Sequence, residues 1–258
     1  MRIMQSRFAL LVLIAFAALI WPDAAHAQAI SIDLGGEGSG TVTGRVVQMV
    51  VLLTVLSLAP SILIMMTSFT RIIVVLSFLR TAIGIQQTPP NTVMISLAMF
   101  LTLFIMAPTL QASYESGIVP LMSEDIDEVT AFERGVEPFK AFMLKHVRQQ
   151  DLELFMELSK TAPPKEAMQT PLQVVIPSFM ISELRRAFEI GFMLFLPFLI
   201  IDLVTASILM SMGMMMLPPI TVSLPFKIIF FVLVDGWYLI AGSLIRSFDP
   251  TTLPGPGG

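Results

Sequence analysis

Ten residues, Met210-Ser-Met-Gly-Met-Met-Met-Leu-Pro-Pro219, separate two long apolar runs at 190–209 and 226–245. Proline cannot continue a helix, because it lacks the backbone N–H and its ring clashes with the preceding turn. The double proline therefore predicts a break between two helices. Five of the seven residues from Met210 to Met216 are methionine, and methionine side chains repack around irregular shapes. The stretch indicates a flexible apolar loop that can seal and yield, rather than a catalytic pocket.

The composition of the chain is typical of a membrane protein. Of its 258 residues, 55% are hydrophobic and 13% are charged, and the mean hydropathy is +0.83. A soluble domain carries about 25% charged residues. Four apolar runs approach the roughly 20 residues that a helix needs to cross the hydrocarbon core. These runs are 46–66, 92–110, 190–210 and 226–245. We therefore predict an all-α integral membrane protein with four spans.

Prolines interrupt three of these runs, at Pro60, Pro108 and Pro197. Broken helices are tolerated at membrane depth where protein or a water-filled cavity surrounds them. Hydropathy thus leaves two arrangements open: four simple spans, or helical hairpins packed inside an assembly.

The amino terminus has the features of a secretory signal peptide. Arg2 and Arg7 precede an apolar core at 8–21, and Ala25-His26-Ala27 is a small-x-small cleavage site. We expect cleavage after Ala27, with an uncleaved anchor helix as the alternative. The predicted organisation is a signal peptide at 1–27, a flexible linker at 28–45, a first apolar helical hairpin region at 46–110, a mostly polar periplasmic helical segment at 111–189, a second apolar helical region with the methionine-rich loop at 190–248, and a tail at 249–258.

The distribution of charge indicates the orientation of the chain. The short connection 67–91 contains Arg71 and Arg80 and no acidic residue, whereas segment 111–171 contains eleven acidic and six basic residues. Short basic loops stay in the cytoplasm. We therefore expect 67–91 to face the cytoplasm, and we expect 111–171 and the mature amino terminus to face the periplasm.

Segment 137–160 has the pattern of an amphipathic helix. Pro138 suits a first helical turn. Apolar residues follow at helical spacing, and Ala162-Pro163-Pro164 ends the segment. These apolar residues are Phe139, Phe142, Met143, Val147, Leu152, Phe155 and Met156. They cover either the core of this chain or the surface of a neighbouring subunit.

The sequence contains few groups that could carry out catalysis. It has no cysteine, and His146 is the only histidine after the predicted cleavage site. His146 lies beside Lys145 and Arg148, so we expect it to be a solvated surface residue. No metalloprotease, dinucleotide-binding or phosphate-binding motif is present. The net charge of −4 disfavours nucleic-acid binding. We therefore predict no enzymatic activity and no cofactor or metal.

Two acidic residues, Asp202 and Asp235, lie within apolar runs. Charges at membrane depth are costly, so they usually face a partner or a wet cavity. One interpretation is an ion pair or a cap, with Lys227, Arg185 or Arg186 as the basic partner. The other is a role in a pore or in proton coupling.

Several long motifs together resemble the FliP family, the inner-membrane export-gate proteins of the flagellar type III secretion system. The resemblance covers about 46–248. Its motifs are Met65-Met-Thr-Ser-Phe-Thr-Arg-Ile-Ile-Val-Val-Leu76, Gln86-Gln-Thr-Pro-Pro-Asn91, Pro177-Ser-Phe-Met-Ile-Ser-Glu-Leu-Arg-Arg-Ala-Phe-Glu-Ile-Gly191, Phe195-Leu-Pro-Phe-Leu-Ile-Ile-Asp-Leu203, the stretch from Met210 to Pro219, Leu224-Pro-Phe-Lys227 and Val234-Asp-Gly-Trp237.

The resemblance implies a ring of several copies, a pentamer in the family, that joins FliQ-like and FliR-like subunits and other membrane proteins of the export apparatus. Unfolded flagellar substrates pass through its centre, and membrane lipid surrounds or underlies the assembly. It also implies a pore gasket made of Met214, Met215 and Met216, with Met210 and Met212 nearby. Phe142, Phe155 and Glu183 match family positions at contacts between subunits.

Two other functions remain open at this stage. The chain could belong to an ion or proton-coupled transporter of small solutes, with Asp202 and Asp235 as coupling groups. It could also be a passive scaffold that recruits the true pore.

The charge cluster that contains Glu183, Arg185, Arg186 and Glu189 is either an interfacial anchor or a set of ion pairs between subunits.

Overall fold

The computed structural model describes residues 42–85, 87–160, 164, 166–214 and 216–248. Every regular element in these ranges is helical, which confirms the predicted all-α class. The described residues form nine α-helices, which are α1 (Val42–Met65), α2 (Phe69–Ile83), α3 (Asn91–Ser113), α4 (Val119–Met122), α5 (Glu128–His146), α6 (Gln149–Leu158), α7 (Leu172–Ser211), α8 (Pro219–Leu233) and α9 (Gly236–Arg246). A π-helical turn at Tyr114–Ile118 joins α3 to α4, and a 3-10 turn at Ala167–Gln169 precedes α7.

The ends of the chain are described only in part. The predicted signal peptide at 1–27, the tail at 249–258 and most of the predicted linker at 28–45 lie outside the described residues. The chain divides into two compact units, 1–50 and 51–258. The described part of the first unit is the start of α1, which begins at Val42.

Two helical segments are long and apolar enough to cross a membrane, Asn91–Met122 and α7. The number rises to four if each of two bent helix pairs, α1 with α2 and α8 with α9, forms one span. The 40 residues of α7 extend about 60 Å at 1.5 Å per residue, roughly twice the thickness of the hydrocarbon core. The predicted boundary between 189 and 190 falls inside this helix. The polar and apolar regions on either side of it therefore share one continuous helix.

The positions of the helix breaks differ from the sequence interpretation. Pro60, Pro108 and Pro197 all lie inside continuous helices, so the chain is not broken at these positions. The bends lie instead between α1 and α2, at 66°, and between α8 and α9, at 62°. Asp235 adopts a left-handed conformation at the second bend, with φ of 50°. Neighbouring protein can support the backbone groups that an internal proline frees. The predicted break at the double proline is confirmed, because α8 begins at Pro219.

The first hydrophobic core forms around α2. Ile72, Val75, Leu76 and Leu79 of this helix are almost completely buried, and they pack with residues of α3, α7, α8 and α9. The interpretation of 67–91 as a loop was therefore wrong for most of this segment. Its two arginines predict a connection on the cytoplasmic side, but Arg71 is itself buried on α2.

The second core joins α5, α6 and the first half of α7. Phe139, Met143 and Leu152 of the predicted amphipathic segment are buried, and Val175 and Phe179 of α7 pack with them. These side chains thus cover the core of this same chain. Phe142 and Phe155 are half-buried at its edge, so each keeps an exposed part.

The start of the amphipathic helix was predicted incorrectly. Helix α5 begins at Glu128, and Pro138 lies in its interior. A proline there deprives the carbonyl four residues earlier of its helical donor. That carbonyl, of Arg134, accepts a hydrogen bond from the Ser116 hydroxyl at 3.0 Å. Ser116 thus replaces the missing donor, and the helix continues past the proline.

We expect Gly117→Ala to destabilise the protein, because a Cβ atom there would lie 2.7 Å from the carbonyl oxygen of Ala131. Overpacking of this kind costs about 1–3 kcal/mol. The apparent melting temperature of the detergent-solubilised protein measures the effect. Gly242→Ala is the control, since a Cβ at Gly242 would approach only the end of the Arg246 side chain, at 4.0 Å. Equal melting temperatures for the two variants would contradict the prediction.

Candidate functional site

A buried ion pair joins α2 to α7. Arg71 is 1% exposed and Glu183 is fully buried. The guanidinium donates to the carboxylate through two nitrogens, Nε to Oε2 at 2.7 Å and Nη2 to Oε1 at 2.5 Å. This bidentate geometry fixes the relative rotation of the two side chains as well as their distance. The pair therefore sets how α2 sits against α7.

The same guanidinium holds the residues that follow α9. Its Nη1 atom donates to the Ser247 carbonyl oxygen at 3.1 Å and to the Ser247 hydroxyl at 2.9 Å. The Phe248 ring lies against the face of the guanidinium, with its centroid 3.7 Å from the Cζ atom. A cation placed over an aromatic ring in this way is attracted to it. Arg71 thus links three parts of the chain that are far apart in sequence.

Phe248 extends these contacts to α5. Its ring is stacked at 6.0 Å on the ring of Phe142, and Phe142 also contacts Phe179 of α7 and His146. Phe248 is buried and Phe142 is half-buried. We call Arg71, Glu183, Ser247, Phe248 and Phe142 the arginine network.

A second polar contact holds the corner between α5 and α6 against α7. The Ser182 hydroxyl donates to Asp151 Oδ2 at 2.6 Å, and the backbone N–H of Arg148 donates to the Ser182 oxygen at 3.0 Å. The Arg148 side chain is also bidentate to Asp151, at 2.7 and 2.8 Å. The hydrogen bonds from Arg148 lower the pKa of the Asp151 carboxyl. Ser182 immediately precedes Glu183, so consecutive residues of α7 anchor α6 and α2.

His146 is buried, with 5% of its surface exposed, so the prediction of a solvated residue is wrong. Its charged sequence neighbours suggested exposure, but the ring turns inward beneath Phe248. Its Nδ1 atom lies 2.8 Å from the Phe142 carbonyl oxygen, and Nε2 lies 3.1 Å from the Phe248 carbonyl oxygen. A neutral imidazole has one N–H, so it can donate to only one of these at a time.

A separate, partly buried contact joins α7 and α8 to the end of α2, and its Asp202 side chain is 32% exposed. Lys227 is 3% exposed, and its Nζ atom donates to Asp202 Oδ2 at 2.6 Å and to the Ala82 carbonyl oxygen at 3.1 Å. The Ser223 hydroxyl donates to the other Asp202 oxygen at 2.6 Å. Asp202 therefore pairs with Lys227, one of the basic partners that the sequence left open.

The remaining charges predicted to be buried are not buried in this chain. Asp235 is exposed at the bend between α8 and α9, and Arg186 is half-buried. Arg185 pairs with Glu189 at 3.0 Å on the outer face of α7, where both side chains are more than half exposed. A charged side chain in an apolar run can lie on the exposed face of a helix or in the core. The spacing of charges in the sequence does not distinguish the two positions.

The methionine-rich loop follows a capped helix end. Gly213 has φ of 74° in the left-handed region, and the Met214 N–H donates to the Leu209 carbonyl oxygen at 3.0 Å. This pattern closes the carboxyl end of α7 and turns the chain outward. The methionines with described side chains are Met210, Met212, Met214 and Met216, and all are at least 40% exposed. Met215 lies outside the described residues.

The structure adds partners that the sequence interpretation missed. In the sequence, Arg71 indicates the orientation of the chain and belongs to a family motif, and no motif includes Ser247 or Phe248. A single charge in the apolar stretch around Arg71 was a usable signal of a buried ion pair. Its partner Glu183 is 112 positions away, and no local pattern connects the two.

We expect the stability of the protein to fall between pH 7.5 and pH 5, because burial lowers the pKa of His146. Above its ordinary pKa of about 6.5 the neutral ring is present in both the folded and unfolded chains. As the pH falls below about 6.5, the unfolded chain binds the proton before the folded chain does, so stability declines until the lowered pKa of the folded chain is reached, by at most about 1.4 kcal/mol per pH unit for one proton.

Melting temperatures of the wild type and of His146→Gln across this range provide the measurement. The variant should show the smaller decline, since its side chain does not titrate. Asp151 contributes little to the difference, because its effect begins below the ordinary pKa of about 3.9 for aspartate. Parallel pH profiles for the two proteins would contradict the prediction.

Comparison with known proteins identifies the family. The FliP family model matches residues 52–244. A protein of Caulobacter vibrioides named "Flagellar biosynthetic protein FliP" is 63% identical over 239 residues, which cover 92% of this chain and 89% of the relative. A Bacillus subtilis protein of the same name is 57% identical over 202 residues, which cover 78% of this chain and 91% of the relative. The matched region contains the arginine and lysine ion pairs and the methionine-rich loop, and the chain belongs to the FliP family.

Proposed function

We propose that this chain is a core subunit of the flagellar type III secretion export gate, and that it helps to form the channel through which unfolded substrates pass. Membership of the FliP family, relatives named for flagellar biosynthesis and the long apolar helices support this role. The chain itself then supplies a passage and a seal, with no catalytic step of its own. The driving energy comes from other parts of the apparatus.

The proposed assembly is a ring of several copies, pentameric by resemblance to the family. It includes FliQ-like and FliR-like subunits and contacts other membrane proteins of the export apparatus. It lies in the bacterial inner membrane at the flagellar basal body, with the mature amino terminus in the periplasm. Phe142 and Phe155 suit contacts between subunits, because each is half-buried and keeps an apolar edge exposed.

The methionine-rich loop acts as the gasket of this channel. The observation that carries this assignment is the exposure of Met210, Met212, Met214 and Met216, at 59%, 66%, 40% and 98%, between two apolar helices. An extruded polypeptide presents every kind of side chain in turn. Thioether side chains from several copies can close around each of them, because their contacts are dispersive and unbranched chains adapt their shape.

The transporter alternative has less support. A proton-coupling carboxylate must change its charge during the transport cycle, whereas Asp202 is held by Lys227 and Ser223. Asp235 lies on the surface of the chain at a helix bend.

Replacing Met214, Met215 and Met216 together with alanine should raise ion leak through the assembled complex, because the shortened side chains leave the passage open. Conductance of the purified complex in planar bilayers measures the leak, and the yield of assembled complex shows whether assembly is intact. Met193→Ala is a matched control, since Met193 is 68% exposed on α7 outside the loop. Unchanged conductance in the fully assembled triple variant would remove the gasket assignment.

A photocrosslinking residue at position 216 should react with an export substrate stalled in the channel. The same residue at position 193 should not react, because it lies on the helix before the loop. Mass spectrometry of the crosslinked product identifies both partners. Crosslinks from the substrate to other subunits alone would favour the scaffold alternative.

A further inference from the structure

We propose that Arg71 and Phe248 are positioning residues for assembly, and that Glu183 acts through them to hold Phe142 in the orientation that a neighbouring copy contacts. This inference rests on the proposed role of Phe142 at the subunit interface. It assigns a function to the end of α9, which the sequence motifs did not include.

Glu183 is not available to a neighbouring subunit in this structure. Its side chain is fully buried, and both carboxylate oxygens accept hydrogen bonds from Arg71 of the same chain. Moving it to a neighbour would leave Arg71 buried without its counterion, and an unpaired buried charge is strongly unfavourable. Any effect of Glu183 on assembly is therefore transmitted through Arg71.

Arg71 carries that effect to the end of α9. Its third nitrogen bonds both the carbonyl and the hydroxyl of Ser247, and its planar face lies against the Phe248 ring. Lysine could not reproduce this arrangement, because an ammonium group has neither the bidentate fork nor a planar face. The position of Phe248 thus depends on a guanidinium that Glu183 holds in place.

Phe248 in turn supports Phe142. The two rings are stacked with an interplanar angle of 20°, and the Phe248 carbonyl oxygen also lies 3.1 Å from His146, one turn along α5 from Phe142. Phe142 is half-buried, so part of its ring stays exposed while the ring stacks on Phe248 and makes a T-shaped contact with Phe179. The contacts with Phe248 and Phe179 therefore set the orientation of the exposed part of the Phe142 ring.

The first experiment measures the position of Phe142 without assembly. A 4-fluorophenylalanine at position 142 reports its ring environment through the fluorine NMR shift of the detergent-solubilised monomer. Arg71→Lys, Glu183→Gln and Phe248→Ala should each change this chemical shift. Phe248→Tyr keeps the aromatic ring and should give a shift close to that of the wild type. Arg185→Ala is the matched control and should leave the resonance unchanged, because the ion pair of Arg185 with Glu189 lies exposed on the same helix as Glu183.

The second experiment measures assembly. Phe248→Ala keeps the Arg71–Glu183 pair intact, so it tests positioning in a chain that folds with its buried charges paired. It should lower the ratio of oligomer to monomer on native gels by about tenfold, as expected when an anchor residue of an interface is lost. Phe142→Ala should have a similar effect, and the double variant should be no worse than either single variant. Phe132→Ala is the control, an exposed aromatic on the same helix as Phe142.

The two experiments separate failure of the inference from failure of the proposed interface. If the fluorine chemical shift at position 142 is unchanged in Arg71→Lys and Phe248→Ala, the positioning role is overturned. Fully additive losses of oligomer for Phe142→Ala and Phe248→Ala also overturn it. Normal assembly of Phe142→Ala overturns the interface on which the inference rests, whatever the fluorine shift shows.

Discussion

A guanidinium in an apolar interior is tolerated only when its donors are bonded, and Arg71 imposes this requirement on the helices around it. Its partners, Glu183 and Ser247, lie 112 and 176 positions away in the sequence. Hydrophobic packing between long apolar helices tolerates small slides and rotations, whereas a bidentate ion pair allows little of either. The network therefore fixes the register of α2, α7 and the end of α9 where apolar contacts alone would leave it loose.

Helix α7 carries polar side chains that anchor several other helices. Ser182 and Glu183 are consecutive, and side chains one residue apart on a helix point about 100° away from each other. One of them binds the corner between α5 and α6, and the other binds α2. Further along the same helix, Asp202 binds Lys227 of α8. A single 40-residue helix thus connects the corner between α5 and α6, helix α2, and helix α8, which follows the methionine-rich loop.

The methionine-rich loop has the opposite character. Gly213 and the capping hydrogen bond from Met214 hold its base, while its described methionine side chains lie largely exposed. In the proposed channel a rigid helix would carry a soft seal, so that the seal could deform without displacing the helices behind it. The arginine network lies against the first half of α7, and the methionine-rich loop follows its carboxyl end. This separation suits a channel that opens and stays assembled.

The sequence by itself determined the helical class, the apolar segments, the break at Pro218–Pro219 and, through its motifs, the family. These features depend on local composition and on the covalent geometry of proline, so they can be read from neighbouring residues. Only the tertiary structure decided that Pro138 stays inside a helix and that His146 is buried, because Ser116 and Phe248 supply the necessary contacts from distant segments. Arg71 looked like a loop charge for the same reason, since the carboxylate that permits its burial is brought to it by folding alone.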